Sequence, residues 1–221
     1  EYQHIKRPCV RLWRSLYGHP ESGFHWNERF KAVMSQLGAV PLPSFPSNYW
    51  LPSFGLMLSL YVDDIVVSGP AERHEPFWNA LQEHLELDPP TDVSRVLGRG
   101  HEISRKDNVT TCSFEMVEFV ENACQMYEEL TGWKLKPAAS PYLPEGSLTD
   151  LDWAERGQLS QQASRILMKI LWAARLARPD LMKGIADLTR RLTGWAKADD
   201  RRLHRLMCYV HGSKNFRLQG K

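Results

Sequence analysis

Two adjacent carboxylates, Asp63 and Asp64, interrupt the apolar stretch LSLYVDDIVVSG, residues 58–69. Leu58, Leu60 and Val62 alternate with Ser59 and Tyr61 before them, and Ile65, Val66 and Val67 lead to Ser68-Gly69-Pro70 after them. Such β-branched and aromatic flanks read as strands, and Asp tolerates turn conformations, so the stretch predicts a β-hairpin with both aspartates at its tip. Two ionised side chains held this close repel each other, and a divalent cation removes that cost. Hard oxygen donors suit Mg²⁺ or Mn²⁺. Phosphoryl transfer uses such a site, where metal ions stabilise the attacking and leaving oxygens. A polar hairpin tip that merely faces water fits the same dipeptide.

The surrounding elements have to hold that hairpin. Phe24, Trp26, Phe30, Val33, Met34 and Leu37 recur at helical spacing from about Gly23 and predict an amphipathic helix ending at Gly38. Pro41, Pro43, Pro46 and Pro52 make residues 39–55 a loop leading into Tyr49-Trp50-Leu51, whose aromatic rings fit the core better than a substrate platform. Residues 70–87 read as a helix on Phe77, Leu81, His84 and Leu85, and Val96 to Ile103 as strand-turn-strand. A helix over 113–130 is expected from Ser113 as N-cap and a stripe of Val117, Val120, Cys124 and Tyr127. KPAASPYLPEGSLTD then reads as an extended linker. The last third predicts three helices, over 160–176, 181–195 and 199–211, in a small bundle.

Composition narrows the function classes. With 221 residues, 43% of them apolar, the chain can bury a sizeable core, and no apolar run reaches membrane-spanning length. Cys9, Cys112, Cys124 and Cys208 form no CxxC pair, which argues against a disulfide scaffold or a zinc site. The net charge of +2 hides an asymmetry: residues 165–221 hold 14 Lys/Arg against 4 Asp/Glu, whereas residues 1–164 hold 14 against 22. A basic end suits a polyanionic partner, and solvated helix faces give the same count.

Tyr61-Val62-Asp63-Asp64 between apolar strands resembles the YxDD box of reverse transcriptases, and LYVDDIVVSG resembles that of copia-type long-terminal-repeat retrotransposons in particular. LWRSLYGHPESGFHW is similar to the family's LxKxLYGLKQxPRxW segment at Leu12, Arg14, Leu16, Tyr17, Gly18 and Trp26, with Glu21 where the family has a polar Gln. Leu97-Gly98 aligns with an LG pair of the family, and residues 136–141 with its KPxxTP tether. Arg165, Ile170, Leu171, Arg178, Pro179, Asp180, Leu188, Tyr209 and Gly212 follow its C-terminal region. The similarity is collinear from Leu12 to Gly212.

The resemblance implies an α+β fold: a partial right-hand polymerase palm over 1–105, a thumb helix over 106–135, a linker over 136–159 and a basic helical connection region over 160–221. It implies an RNA-directed DNA polymerase in which Asp63 and Asp64 bind catalytic Mg²⁺ or Mn²⁺. Tyr61, Val62, Tyr17, Gly18, Leu97 and Gly98 would lie along nucleotide and primer, and Arg165, Arg178, Arg190, Arg191, Arg201 and Arg202 on phosphates. The implied partners are an RNA or DNA template with its primer, deoxynucleoside triphosphates, and the rest of a retroelement polyprotein, with fingers upstream and RNase H downstream. No membrane is involved, and the implied location is intracellular, in a cytoplasmic virus-like particle or the nucleus. A third catalytic carboxylate belongs to an upstream strand of the family, and EYQHIKRPCVR contains no aspartate. The chain is therefore expected to be a truncated polymerase, inactive alone. A non-catalytic nucleic-acid-binding remnant and an inactive fossil are the alternatives.

Overall fold

The computed structural model describes residues 11–16 and 18–221. They form an α+β chain of seven α-helices and two four-stranded antiparallel sheets, in two compact units that divide between Asp92 and Val93. Among the described residues no helix is long and apolar enough to cross a membrane.

The first unit holds α1 (Ser22–Gln36), β1 (Val40–Pro41), β2 (Asn48–Leu51), β3 (Leu56–Tyr61), β4 (Asp64–Ser68) and α2 (His74–Gln82). The strands pair in sequence order as a meander. Alternation along β3 is strict, with Leu56, Leu58 and Leu60 buried and Met57, Ser59 and Tyr61 exposed, because successive side chains leave opposite faces of a strand. The buried set packs with Phe30, Val33 and Met34 of α1 and Phe77 and Leu81 of α2. Phe30 and Phe77 are wholly enclosed, so truncating either to Ala should cost about 3–5 kcal/mol. On the other face Val40, Trp50, Met57 and Ser68 stand in one cross-strand row. Tyr49 therefore joins the core as expected, whereas Trp50, one residue on, points to the open face and is 38% exposed. The helix expected over 70–87 is shorter: a 3₁₀ turn at Ala71–Arg73 precedes α2, which ends at Gln82.

The second unit begins with β5 (Arg95–Val96), β6 (Arg99–Lys106) and β7 (Val109–Glu115), continues through α3 (Val117–Thr131), α4 (Asp150–Ala154), α5 (Ala163–Leu176), α6 (Met182–Thr189) and α7 (Lys197–Gly212), and ends at β8 (Leu218–Gly220). Here Ser113 and Glu115 depart from expectation. They lie in β7, paired with Glu102 and Gly100 of β6, and α3 starts only at Val117. Glu115 still serves the helix, since its carboxylate accepts from the Val117 amide at 2.6 Å. Val120, Ala123, Cys124 and Tyr127 of α3 are buried in the same core as Ile166, Ile170, Leu181, Ile185, Leu188, Leu203, Leu206 and Val210. The expected separation of a thumb helix from a later bundle is thus replaced by one shared core, and the Leu97-Gly98 hairpin lies in the same unit. Between α3 and α4 the chain is irregular, as its prolines require, until Thr149 and Asp152 close a capping box at the start of α4.

Candidate active site

The hairpin tip is tighter than the sequence suggests. Tyr61 pairs with Asp64, so Val62 and Asp63 alone make the turn, and Asp64 is already the first residue of β4. Val62 has φ +56°, and Asp63 has no positive φ. A positive φ at the first central residue alone is the type II′ pattern, which normally takes Gly there. A β-branched residue in that region is strained, by about 1–3 kcal/mol.

What holds the strained turn is Trp26. This residue lies one turn into α1, and its indole Nε1 donates to the Val62 carbonyl oxygen. Its ring also packs against Phe30, at 5.7 Å between centroids, so the anchor is built into the core helix. Periodicity placed Trp26 on the core stripe but gave no sign of this bond. The only signal was chemical: an indole N–H near a core surface needs an acceptor. At the other end of β4, Gly69 lies at φ +153°, where an added Cβ would stand 2.5 Å from a Leu56 side-chain carbon and 2.9 Å from the Gly55 carbonyl oxygen. Only glycine lets the outgoing chain pass this close to β3.

Tyr61, Val62, Asp63 and Asp64 are all exposed, and Tyr61 and Asp64 share the open face of the sheet with Trp50 and Met57. Among the described residues neither aspartate takes part in a salt bridge or side-chain hydrogen bond, so both carboxylates are uncommitted. Mg²⁺ is commonly held by one or two carboxylates, with water and phosphate oxygens filling its other positions. The donor pair fits that role. No group of three His, Cys, Asp or Glu side chains suited to a metal occurs among the described residues.

The remaining expected positions are dispersed. Gly18 lies at φ +82° in the segment before α1, with open space where a Cβ would stand. Tyr17 falls outside the described residues. Leu97 and Gly98, at φ +54° and +78°, form a two-residue turn between β5 and β6. The Leu97 carbonyl accepts from Trp172 Nε1 of α5 at 3.3 Å, so this turn is docked on its own unit's helix.

The arginines expected on phosphates are mostly engaged elsewhere. Arg178 is 1% exposed and cannot meet a phosphate: its guanidinium donates to both carboxylate oxygens of Asp180 and to the carbonyl and hydroxyl of Ser213. Arg191 and Arg202 converge on buried Asp199, Arg201 reaches Asp152 at 2.6 Å, and Arg190 lies 3.6 Å from Asp187. Arg165 is exposed, with no ion pair among the described residues. Of the fourteen cations of the basic end, four pair with carboxylates from outside it, Glu102, Glu121, Asp152 and Glu155, and five with its own aspartates among the described residues.

No family model matches the chain, and no solved structure matches it significantly.

Proposed function

We propose that the first unit carries the metal-binding hairpin of a reverse transcriptase of the copia-type retrotransposon class, set in part of a polymerase palm. One observation carries this reading: the Trp26-anchored turn presents Asp63 and Asp64 in succession, exposed and unpaired among the described residues, at the end of a sheet with an open face. Placed there, Asp63 and Asp64 would hold Mg²⁺ or Mn²⁺, and the bound ion would offset negative charge on phosphate oxygens. The reaction is nucleotidyl transfer: a primer 3′ oxygen bonds to the α-phosphorus of a deoxynucleoside triphosphate, and pyrophosphate leaves. Tyr61 and Val62 would flank the primer end, and Trp26 would fix the height of the tip. The exposed faces of Trp50 and Tyr61 offer ring surface on which a base can stack.

The second reading, a nucleic-acid-binding remnant without catalysis, is favoured by the exposed rings of Trp50 and Tyr61, on which a base can stack without a metal. Primer extension on an RNA template, with Mg²⁺ and with Mn²⁺, tests both. Extension that falls at least about 100-fold in Asp64→Asn supports the proposal, in line with removal of a preorganised electrostatic group. Extension untouched by Asp64→Asn refutes it. Duplex binding that weakens with salt, ignores Mg²⁺ and gives no product supports the second reading.

A further inference from the structure

A second site lies wholly within the second unit. Trp133 and Lys136, just past α3, and Arg201, His204, Arg205 and Cys208 of α7 line a pocket of about 330 Å³. That volume is at the small end of small-molecule sites. No carboxylate lines the pocket, although three cations do.

The cations differ in how far they are committed. Arg201 is neutralised by Asp152 at 2.6 Å. Arg205 donates only its Nε, to the Ser140 carbonyl oxygen at 2.9 Å, which fixes the guanidinium and leaves both terminal nitrogens without a partner among the described residues. Lys136 is exposed and likewise has no described partner. Two positive charges without an acidic partner among the described residues therefore line one concavity, which matches the charge of a phosphate dianion.

Part of the lining is aromatic. His204 shares a hydrogen bond with the Tyr127 hydroxyl at 3.0 Å and stacks on that ring, while the Trp133 indole meets it edge-on at 5.4 Å. Burial lowers the His204 pKa, which favours the uncharged ring. The Cys208 thiol lies 3.6 Å from His204 Nε2.

We infer that this pocket binds a small phosphomonoester bearing a flat ring, with the phosphate on Lys136 and Arg205 and the ring against Trp133 and His204. The site is independent of the hairpin and needs no metal. Its test uses adenosine 5′-monophosphate as probe, in the presence of EDTA, with adenosine and inorganic phosphate as controls. Calorimetry should show saturable binding of the monophosphate, at least about tenfold weaker in Lys136→Ala and in Arg205→Met, and at least about tenfold weaker for adenosine. Lys136 is exposed, so its replacement leaves the fold intact should Arg205→Met fail to fold. Bound probe should also slow alkylation of Cys208 by iodoacetamide, read by mass spectrometry, without protecting Cys112. Absence of saturable binding, equal affinity for adenosine, or affinity unchanged by Lys136→Ala overturns the inference. So does a DNA duplex that displaces the probe at lower concentration, since it would assign the cations to a polymer backbone.

Discussion

The indole N–H of Trp26 and the carbonyl of Val62, 36 residues apart, are joined by a hydrogen bond that ties the core helix to the tip of the acidic hairpin. The tip has no other side-chain restraint among the described residues, so the position of Asp63 depends on this bond. In Trp26→Phe the ring packing on Phe30 survives and the donor is lost. Stability of the first unit should fall by about 1 kcal/mol, the net worth of one such bond. Hydrogen exchange at the amides of residues 62–64 should rise far more than exchange in β2. Unchanged exchange at the tip would show that the turn holds itself.

Val62 supplies the complementary case, because its backbone conformation is one that a β-branched residue resists. Val62→Gly should relieve that strain and raise stability by about 1 kcal/mol, less the entropy that glycine adds to the unfolded chain. Under the proposed function the same variant should extend primers poorly, since a glycine tip positions the aspartates less firmly. A variant both more stable and more active would mean that the strain has no role.

Arg178 and Asp180 give a pH dependence whose sign can be worked out. Burial alone would raise the Asp180 carboxyl pKa, but the Arg178 hydrogen bonds and charge, with the Tyr209 hydroxyl, pull it below the ordinary 3.8. A carboxyl held low in the folded state adds stability above its unfolded pKa and loses it as pH falls through the folded value. Arg178→Met should therefore destabilise the second unit by about 2–3 kcal/mol at neutral pH, a value discounted because Asp180 keeps some contact with water. The gap from the unsubstituted chain should narrow as pH drops below about 4, where Asp180 takes up its proton. Urea unfolding at pH 7 and pH 3 checks this, and a gap of constant size would remove Asp180 from the account.

Local patterns carried much of the fold. The stripe of α1, the alternation around Asp63-Asp64 and the inward faces of α5 and α7 lie where helical or strand period places them, because burial repeats with that period, whereas the helix expected over 181–195 ends at Thr189 and Leu192 falls in a 3₁₀ turn. What period does not encode was missed. β7 reads as a helix start because Ser113 followed by Glu115 imitates a cap, and its strand state is decided by pairing with β6 and β8. The basic end looked like a phosphate-binding surface because charge was summed along the chain. The carboxylates that neutralise Arg201, Lys197, Lys214 and Arg217 come from residues 102–155, brought near only by folding. At the hairpin the carboxylates were legible, and the strained Val62 with its Trp26 anchor was not, since both depend on a register that only the paired strands define.

Asp199 and Asp200 mark the limit of reading charge as surface. Acidic residues in a helix's first turn suit its dipole and are expected to face water, yet both are buried here. Asp200 is 2% exposed, and its carboxylate accepts from the amides of Gln158 and Leu159, at 2.6 and 3.1 Å, and from Trp195 Nε1 at 2.6 Å. It thereby fastens the segment between α4 and α5 to the start of α7, beside the point where Arg156 bridges to Ala196. Asp200→Ala strands three donors, each costing about 1–3 kcal/mol when left unpaired in the interior, so a total near 3–5 kcal/mol is expected after partial relaxation. Asp200→Asn keeps one acceptor and should lose less. Hydrogen exchange localises the effect: amides of residues 156–160 and 195–200 should open first, while those of β3 and β4 keep their protection. Equal losses for Ala and Asn would show that the negative charge, rather than the count of acceptors, secures this junction.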